Sequence, residues 1–389
     1  MEQARFQVAP FDPKPDPAWL NVDFWKGTLM RVIVTGDLLR NTGQNQMAES
    51  DQAKNVDWLK SVLDMPFAGI ADIEVEVLIS RNQNAVFDRL GCYSALGRDV
   101  TIEDWCEIYE GKNNEIDILV DFIGPYFENC QVIISHEAPP YLFRIAQKIG
   151  VKIIDVGVAP LRFSSDYILG LRSNDVASMS LIEKCSMRPM EFHDAVHTRV
   201  ALSHSRAHPL NIENGVLFVG QMDIDASLIQ GGSIPKPIDV LNALELTSAM
   251  YGRVYYKPHP NNNNTSWLRK ICNEREDFIW INRNIYDTLV LDDWSRVISF
   301  SSSVVKEAPF FRKKADRMLK DNDIWPYFDG DVDNFIGTES EMPNYAYISN
   351  KTFFSSGFWA GLLQCVCQNY IECYRAGLVK RTLVEKWGF

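Results

Sequence analysis

The sequence predicts an α/β protein made of two successive Rossmann-like halves, and three observations carry this. Short β-branched and aromatic runs alternate with stretches of helical period, the signature of a parallel sheet covered by helices. The alternation stops in a polar, proline-bearing connection at residues 206–213 (RAHPLNIE) and then restarts. A glycine follows the opening strand of each half: residues 29–35 (LMRVIVT) lead into Gly36-Asp37, and residues 215–220 (GVLFVG) end on Gly220.

Taken in order, residues 1–28 form an irregular lead-in. With Glu2, Asp12 and four prolines by Pro17, that lead-in has no apolar core of a signal peptide. After the strand at 29–35 comes a loop rich in Asn, Gln and Ser; no GxGxxG follows, so a dinucleotide is not implied. Residues 55–63 have helical period, and residues 73–80 (IEVEVLIS) read as the second strand. Residues 116–123, 132–135 and 152–156 read as further strands. A helical region at 178–203, broken or kinked at Pro189, closes the first half. In the second half, residues 237–251 and 266–274 read as helices and residues 253–256 as a strand; residues 278–281, 285–291 and 296–300 follow, read as strands. The aromatic stretch 351–389 (Phe354, Phe358, Trp359, Leu362, Leu363) is helical by period and long enough to dock back on the first half. The expected division is 1–208, 209–350 and 351–389.

Composition narrows the function. A chain of 389 residues, 46% hydrophobic and 23% charged, is large enough for two domains. A net charge of −12 argues against a nucleic-acid partner, which calls for a basic face. The eight cysteines include no CxxC pair, which argues against structural zinc and a disulfide framework and fits a reducing cytoplasm. No run of eighteen apolar residues spans a membrane. The last segment (Leu378 to Trp387, with Lys380, Arg381 and Lys386) reads as a domain-crossing helix, with peripheral contact to the inner face of a membrane as the alternative.

Three segments of the second half end strands at one expected edge, where ligands bind in open α/β sheets. In Lys257-Pro-His-Pro260 two prolines hold the backbone of His259 nearly rigid, and the amides of Asn261 to Asn264 complete an anion cradle. Ser301, Ser302 and Ser303 stand where a strand turns into a helix, a place for phosphate or simply an N-cap. Glu307, a turn further on, comes within reach of ribose hydroxyls. The third segment is Gly220-Gln-Met-Asp-Ile-Asp-Ala-Ser227. His193 and His197, four apart on a helix, lack a third metal ligand, and His208-Pro209 reads as a turn.

The pairing of an HP loop with a serine turn resembles bacterial CMP-sugar glycosyltransferases of GT-B type, the sialyltransferases and Kdo transferases. GVLFVGQMDIDAS is similar to a stretch of the retaining β-Kdo transferases of capsule and lipopolysaccharide O-antigen synthesis. Asp155-Val-Gly157 with Leu161-Arg162-Phe163 resembles that family's first-domain acidic–glycine–arginine region. The likeness spans residues 130–310 and the aromatic helix near Trp359. The end of the first domain departs from the capsule enzymes and looks closer to the modular O-antigen type.

The resemblance implies a GT-B fold with a deep interdomain cleft, and Kdo transfer from CMP-β-Kdo with retention. His259, Lys257, Gln221, Ser301, Ser302 and Ser303 would hold CMP, and Glu307 its ribose. Asp225, with Asp223 as the alternative, would be the nucleophile. Glu137 or Asp155 would be the acceptor's base. Arg162 and Arg172 would hold the sugar carboxylate, unless they pair with Asp166 or Asp175. No metal or other cofactor is implied. The implied partners are a lipid-linked or oligosaccharide acceptor, GlcNAc-containing among them, and further glycosyltransferase domains in a longer polypeptide. Two other readings stay open: an inverting CMP-sialic acid-dependent transferase and a noncatalytic nucleotide-sugar-binding module.

Overall fold

The computed structural model describes residues 29–43, 52–80, 87–212, 214–262, 264–319, 325 and 343–387. The lead-in before Leu29, most of the Asn/Gln/Ser loop, Glu213 and Asn263 lie outside these. Among the described residues the chain forms two sheets. The first contains β1 (Met30–Thr35), β2 (Ile73–Val77), β3 (Val132–His136), β4 (Lys152–Val158) and β5 (Leu169–Ser173). The second contains β6 (Gly215–Val219), β7 (Val254–Lys257), β8 (Phe278–Trp280), β9 (Trp294–Ser299) and β10 (Ala315–Arg317). A last strand, β11 (Ala346–Ile348), returns to the first sheet, whose order is β11-β5-β4-β3-β1-β2; the second runs β10-β9-β6-β7-β8.

The second sheet is parallel throughout, as a Rossmann-like half requires. The first is parallel over β2, β1, β3 and β4, and is extended by antiparallel β5 and β11. The antiparallel pair is absent from the expected pattern, because Leu169–Ser173 has no alternation to mark it and β11 arrives from far along the chain. Alternate residues of β1, β3 and β4 serve two cores. Val32, Ile134 and Ile154 pack with Trp58 and Trp359 on one face; Ile33, Ile133 and Ile153 pack with Trp105 and Leu142 on the other.

Two expected strands are helices. Asn113–Ile123 is helical because Ile116, Leu119 and Ile123 share one face and are buried, while Ile118 is left exposed. Ile285–Leu291 is helical as well, started by Asn284, whose side chain accepts the Tyr286 N–H. Helices at Arg89–Ala95 and Ile102–Tyr109 were not expected. The break at Pro189 is present as a 3-10 turn between helices Val176–Lys184 and His193–Arg206.

The C-terminal helices cross back to the first half, as expected of a GT-B plan. Trp359 meets Phe67 edge-on at 5.3 Å, and Trp58 Nε1 donates to Thr382 Oγ1 at 3.1 Å. Buried Asp166 fixes this crossing: it accepts the backbone N–H groups of Val379 and Lys380 at the start of the last helix and the Tyr374 hydroxyl. No helix among the described residues is long and apolar enough to cross a membrane.

Candidate active site

Strands β9, β6 and β7 are neighbours, so the loops leaving their C-terminal ends meet at one edge. Gly220 lets the chain leave β6 there; a Cβ at that position would stand 2.2 Å from Tyr256 Oη. Gln221 then bridges to the serine turn: its Oε1 accepts the Ser301 N–H at 2.8 Å, and its Nε2 donates to Ser301 Oγ at 2.7 Å. Ser301 Oγ also lies 2.8 Å from Ser227 Oγ, so this hydroxyl ties two loops together. The Ser302 N–H reaches back to Ser299 Oγ at 3.2 Å. Ser303 precedes the short helix Val304–Glu307 without capping it through its side chain.

The asparagine run does a different job from the expected one. Asn262 donates to Gln221 O at 2.9 Å and to Asp223 Oδ1 at 2.7 Å, and Asn264 donates to Asp223 Oδ2 at 3.0 Å. These amides lock the HP loop to the aspartate loop, and Asp223 is occupied in receiving them. Asp225 caps the 3-10 turn Ala226–Leu228 by accepting the Ser227 N–H at 2.8 Å. Its neighbours Ile224 and Ala226 pack on the first half's core beside buried Ile229, which places Asp225 where the two halves meet.

Lys257 is 9% exposed, its ammonium donates to Pro258 O at 3.1 Å, and among the described residues no carboxylate pairs with it. Burial lowers its pKa, with no carboxylate among the described residues to oppose that shift. His259 is lowered too, by burial first and by the Lys257 cation next, with Asp225 opposing. Its Nδ1 accepts the Asn261 N–H at 3.2 Å, which leaves Nε2 to carry the proton of the neutral ring. A desolvated lysine and an imidazole N–H, on a loop that Asn262 ties to Gln221 and so to the turn at Ser301, suit an oxyanion.

The first half presents a second group of residues. Glu137 is exposed directly after β3, where Val132–His136 is buried throughout, and its φ of 50° lies in the left-handed region. Such a backbone costs a non-glycine residue about 1–3 kcal/mol and collects at functional sites. Asp155, the other candidate base, is fully buried and paired with fully buried Arg172 at 2.8 Å. It also accepts the Ala138 N–H at 2.7 Å and the Tyr345 hydroxyl. Both residues are thus spent on each other, and Arg172 is closed to a substrate carboxylate. The partners considered for it are used elsewhere, since Asp175 caps the helix Val176–Lys184. Arg162 remains half-buried, its guanidinium 4.7 Å from the centre of the Tyr167 ring.

Glu307 joins the halves and does not face a ribose. It is 1% exposed, and its Oε1 accepts the Arg162 N–H and, at 2.9 Å, the Tyr286 hydroxyl. Around it Phe163 packs among Phe192, Phe310 and Phe311. Burial raises its pKa to about 7 from 4.5, against the donors that lower it. A raised folded-state pKa means the neutral form is favoured, so its stability contribution is full below pH 4.5 and is lost as pH rises through 7. Urea titrations of wild type and Glu307→Gln at pH 4.5 and pH 8 are expected to show their difference moving in the variant's favour by up to about 3 kcal/mol. A pH-independent difference would refute the assignment.

Sequence reasoning missed three residues of these clusters. Buried Asp37 accepts Trp105 Nε1 at 2.9 Å and the Tyr141 hydroxyl at 2.8 Å, and burial raises its pKa. Its place right after Gly36 at a strand end was a usable signal. Tyr286 and Tyr345 carry none, since both reach their partners across the fold. His193 and His197 are exposed on helix His193–Arg206, and His208 is exposed in the connection.

No protein-family model matches the sequence, and no curated protein does. Among solved structures, the chain is similar to KpsC, beta Kdo 2,7 transferase, of Thermosulfurimonas dismutans, with TM-score 0.37 and 12% identity over 74% of this chain and 77% of that one. The beta Kdo 2,4 transferase of the same organism's KpsC gives TM-score 0.31 and 12% identity over 49% and 69%. The UDP-GlcNAc 2-epimerase of Neisseria meningitidis bound to UDP-GlcNAc gives TM-score 0.26 and 12% identity over 75% and 83%. Likeness of this degree carries neither family nor activity to this chain.

Proposed function

We propose that the chain is a glycosyltransferase that moves Kdo from CMP-β-Kdo to a sugar acceptor of a bacterial surface polysaccharide, with retention. The observation that carries the reading is buried Lys257, with no carboxylate partner among the described residues, two residues from His259 at the strand edge. A buried ammonium that meets a backbone carbonyl and, among the described residues, no carboxylate suits an anionic ligand, and the leaving phosphate of a CMP-sugar supplies one. Lys257 and His259 Nε2–H take the phosphate, assisted by the hydroxyls of Ser302 and Ser303. Gln221 and Ser301 hold that turn in place. No divalent ion enters this reading.

Asp225 attacks the anomeric carbon as the bond to the phosphate oxygen breaks, and CMP leaves toward Lys257 and His259. Glu137 then takes the proton of the acceptor hydroxyl, which attacks the same carbon and frees Asp225. Two displacements retain configuration. Arg162 is the remaining arginine for the sugar carboxylate. The reaction takes place in the cytoplasm.

Incubation with a panel of CMP-sugars, followed by NMR of the product's anomeric centre, tests the reading. Consumption of CMP-Kdo and a β-linked product are expected; an inverted product from CMP-sialic acid, or no turnover with any donor, would overturn it. Lys257→Met is expected to weaken CMP binding about 10- to 100-fold by calorimetry, the worth of a charge-assisted hydrogen bond. Unchanged affinity would remove Lys257 from the donor site.

A further inference from the structure

We infer that the buried Asp155–Arg172 pair, completed by Tyr345, is a positioning device that holds Glu137 at the edge of the first sheet. The inference rests on the reading of Glu137 as the acceptor's base. The residue after Glu137 has both of its peptide groups taken by the two members of one ion pair. The Ala138 N–H donates to Asp155 Oδ1 at 2.7 Å, and Ala138 O accepts from Arg172 Nη2 at 3.0 Å. On the other side, the Glu137 N–H donates to Val156 O at 3.0 Å. The backbone is therefore gripped on both flanks of Glu137, itself held at φ 50°.

The grip is itself rigid. Asp155 and Arg172 are Cα partners across β4 and β5, so sheet register sets their separation. Arg172 Nε meets Asp155 Oδ2 at 2.8 Å, and the guanidinium lies between the rings of Phe143 at 4.5 Å and Tyr345 at 4.6 Å. The Tyr345 hydroxyl donates to Asp155 Oδ2. An apolar pair would fill this space without desolvating two charges. It could not bind a peptide N–H and a peptide C=O together, and it is those two bonds that keep Glu137 turned outward while its neighbours are buried.

The experiment uses the full chain and four variants: Arg172→Lys, Tyr345→Phe, Glu137→Gln and the double variant Arg172→Lys/Glu137→Gln. Hydrogen exchange by mass spectrometry, without ligand, reads the clamp alone. Arg172→Lys is expected to speed exchange of the peptide carrying Ala138, with cooperative melting kept and second-half peptides unchanged. Tyr345→Phe, which keeps the ring over Arg172, should give a smaller rise and serves if Arg172→Lys does not fold. Unchanged exchange in the folded variants overturns the clamp whatever the enzyme's substrate.

Transfer kinetics with CMP-Kdo then read the role. Arg172→Lys is expected to lower kcat on the order of 10²-fold, the cost of a misplaced group, with CMP affinity and the donor's kcat/KM kept. The double variant should be no slower than Glu137→Gln, because the clamp acts through that carboxylate. Fully additive losses would overturn the inference. Undiminished kcat in Glu137→Gln itself would overturn the base reading and the device's purpose, while the exchange data still report whether the grip exists.

Discussion

Replacing Asp225 by asparagine is expected to abolish sugar transfer while CMP still binds. The loss in kcat should be on the order of 10⁴-fold, the scale seen when one member of a covalent-catalysis set is removed. The variant isolates chemistry from folding. Asp225 caps the turn Ala226–Leu228 through the Ser227 N–H, and asparagine is an equally good cap. The loop's anchorage by Ile224, Ala226 and Ile229 on the first half's core is untouched. What disappears is the carboxylate able to displace the phosphate. The measurements are CMP-Kdo turnover, CMP affinity by calorimetry and the melting temperature. Turnover within a few-fold of wild type would make Asp225 a cap and nothing more.

Replacing Glu137 by glutamine has the second largest expected effect, with transfer slowed about 10²- to 10⁴-fold, the usual contribution of a general base. Its consequence differs in kind from that of Asp225→Asn. The first displacement needs only donor and nucleophile, so Glu137→Gln should still form the sugar–enzyme bond and then fail to hand the sugar on. With CMP-Kdo and acceptor present, its intact mass should rise by one sugar residue, and Asp225→Asn should show no such rise. Glu137 is exposed, so the substitution leaves the core alone. An adduct on Asp225→Asn, or none on Glu137→Gln alongside full turnover, would reject this division of roles.

Where local pattern and final environment agreed, the sequence was readable. Residues 32–35, Val132–His136 and Gly215–Val219 are buried on both faces of their strands and read as mostly apolar runs. The HP loop and the serine turn were visible because prolines and strand-end serines signal through local backbone chemistry. Asn113–Ile123 was misread because its apolar residues fit both periods, and only burial of Ile116, Leu119 and Ile123 decides between them. The first candidate for the base, Glu137, and the alternative, Asp155, looked equivalent in the sequence. The fold separates them, leaving one exposed on a strained backbone and the other enclosed with Arg172 and Tyr345.

Sequence by itself determined the α/β class, the restart of the pattern in a second half and the meeting of three polar loops at one sheet edge. Each of these follows from the period and punctuation of short segments. Tertiary structure alone decided which charges are free. Lys257 is left without a carboxylate partner among the described residues, whereas Asp223, Asp155, Arg172 and Glu307 are consumed by partners distant in sequence. The reason is desolvation: a buried charge must be matched, and its match comes from whatever the fold brings alongside, which no local pattern encodes.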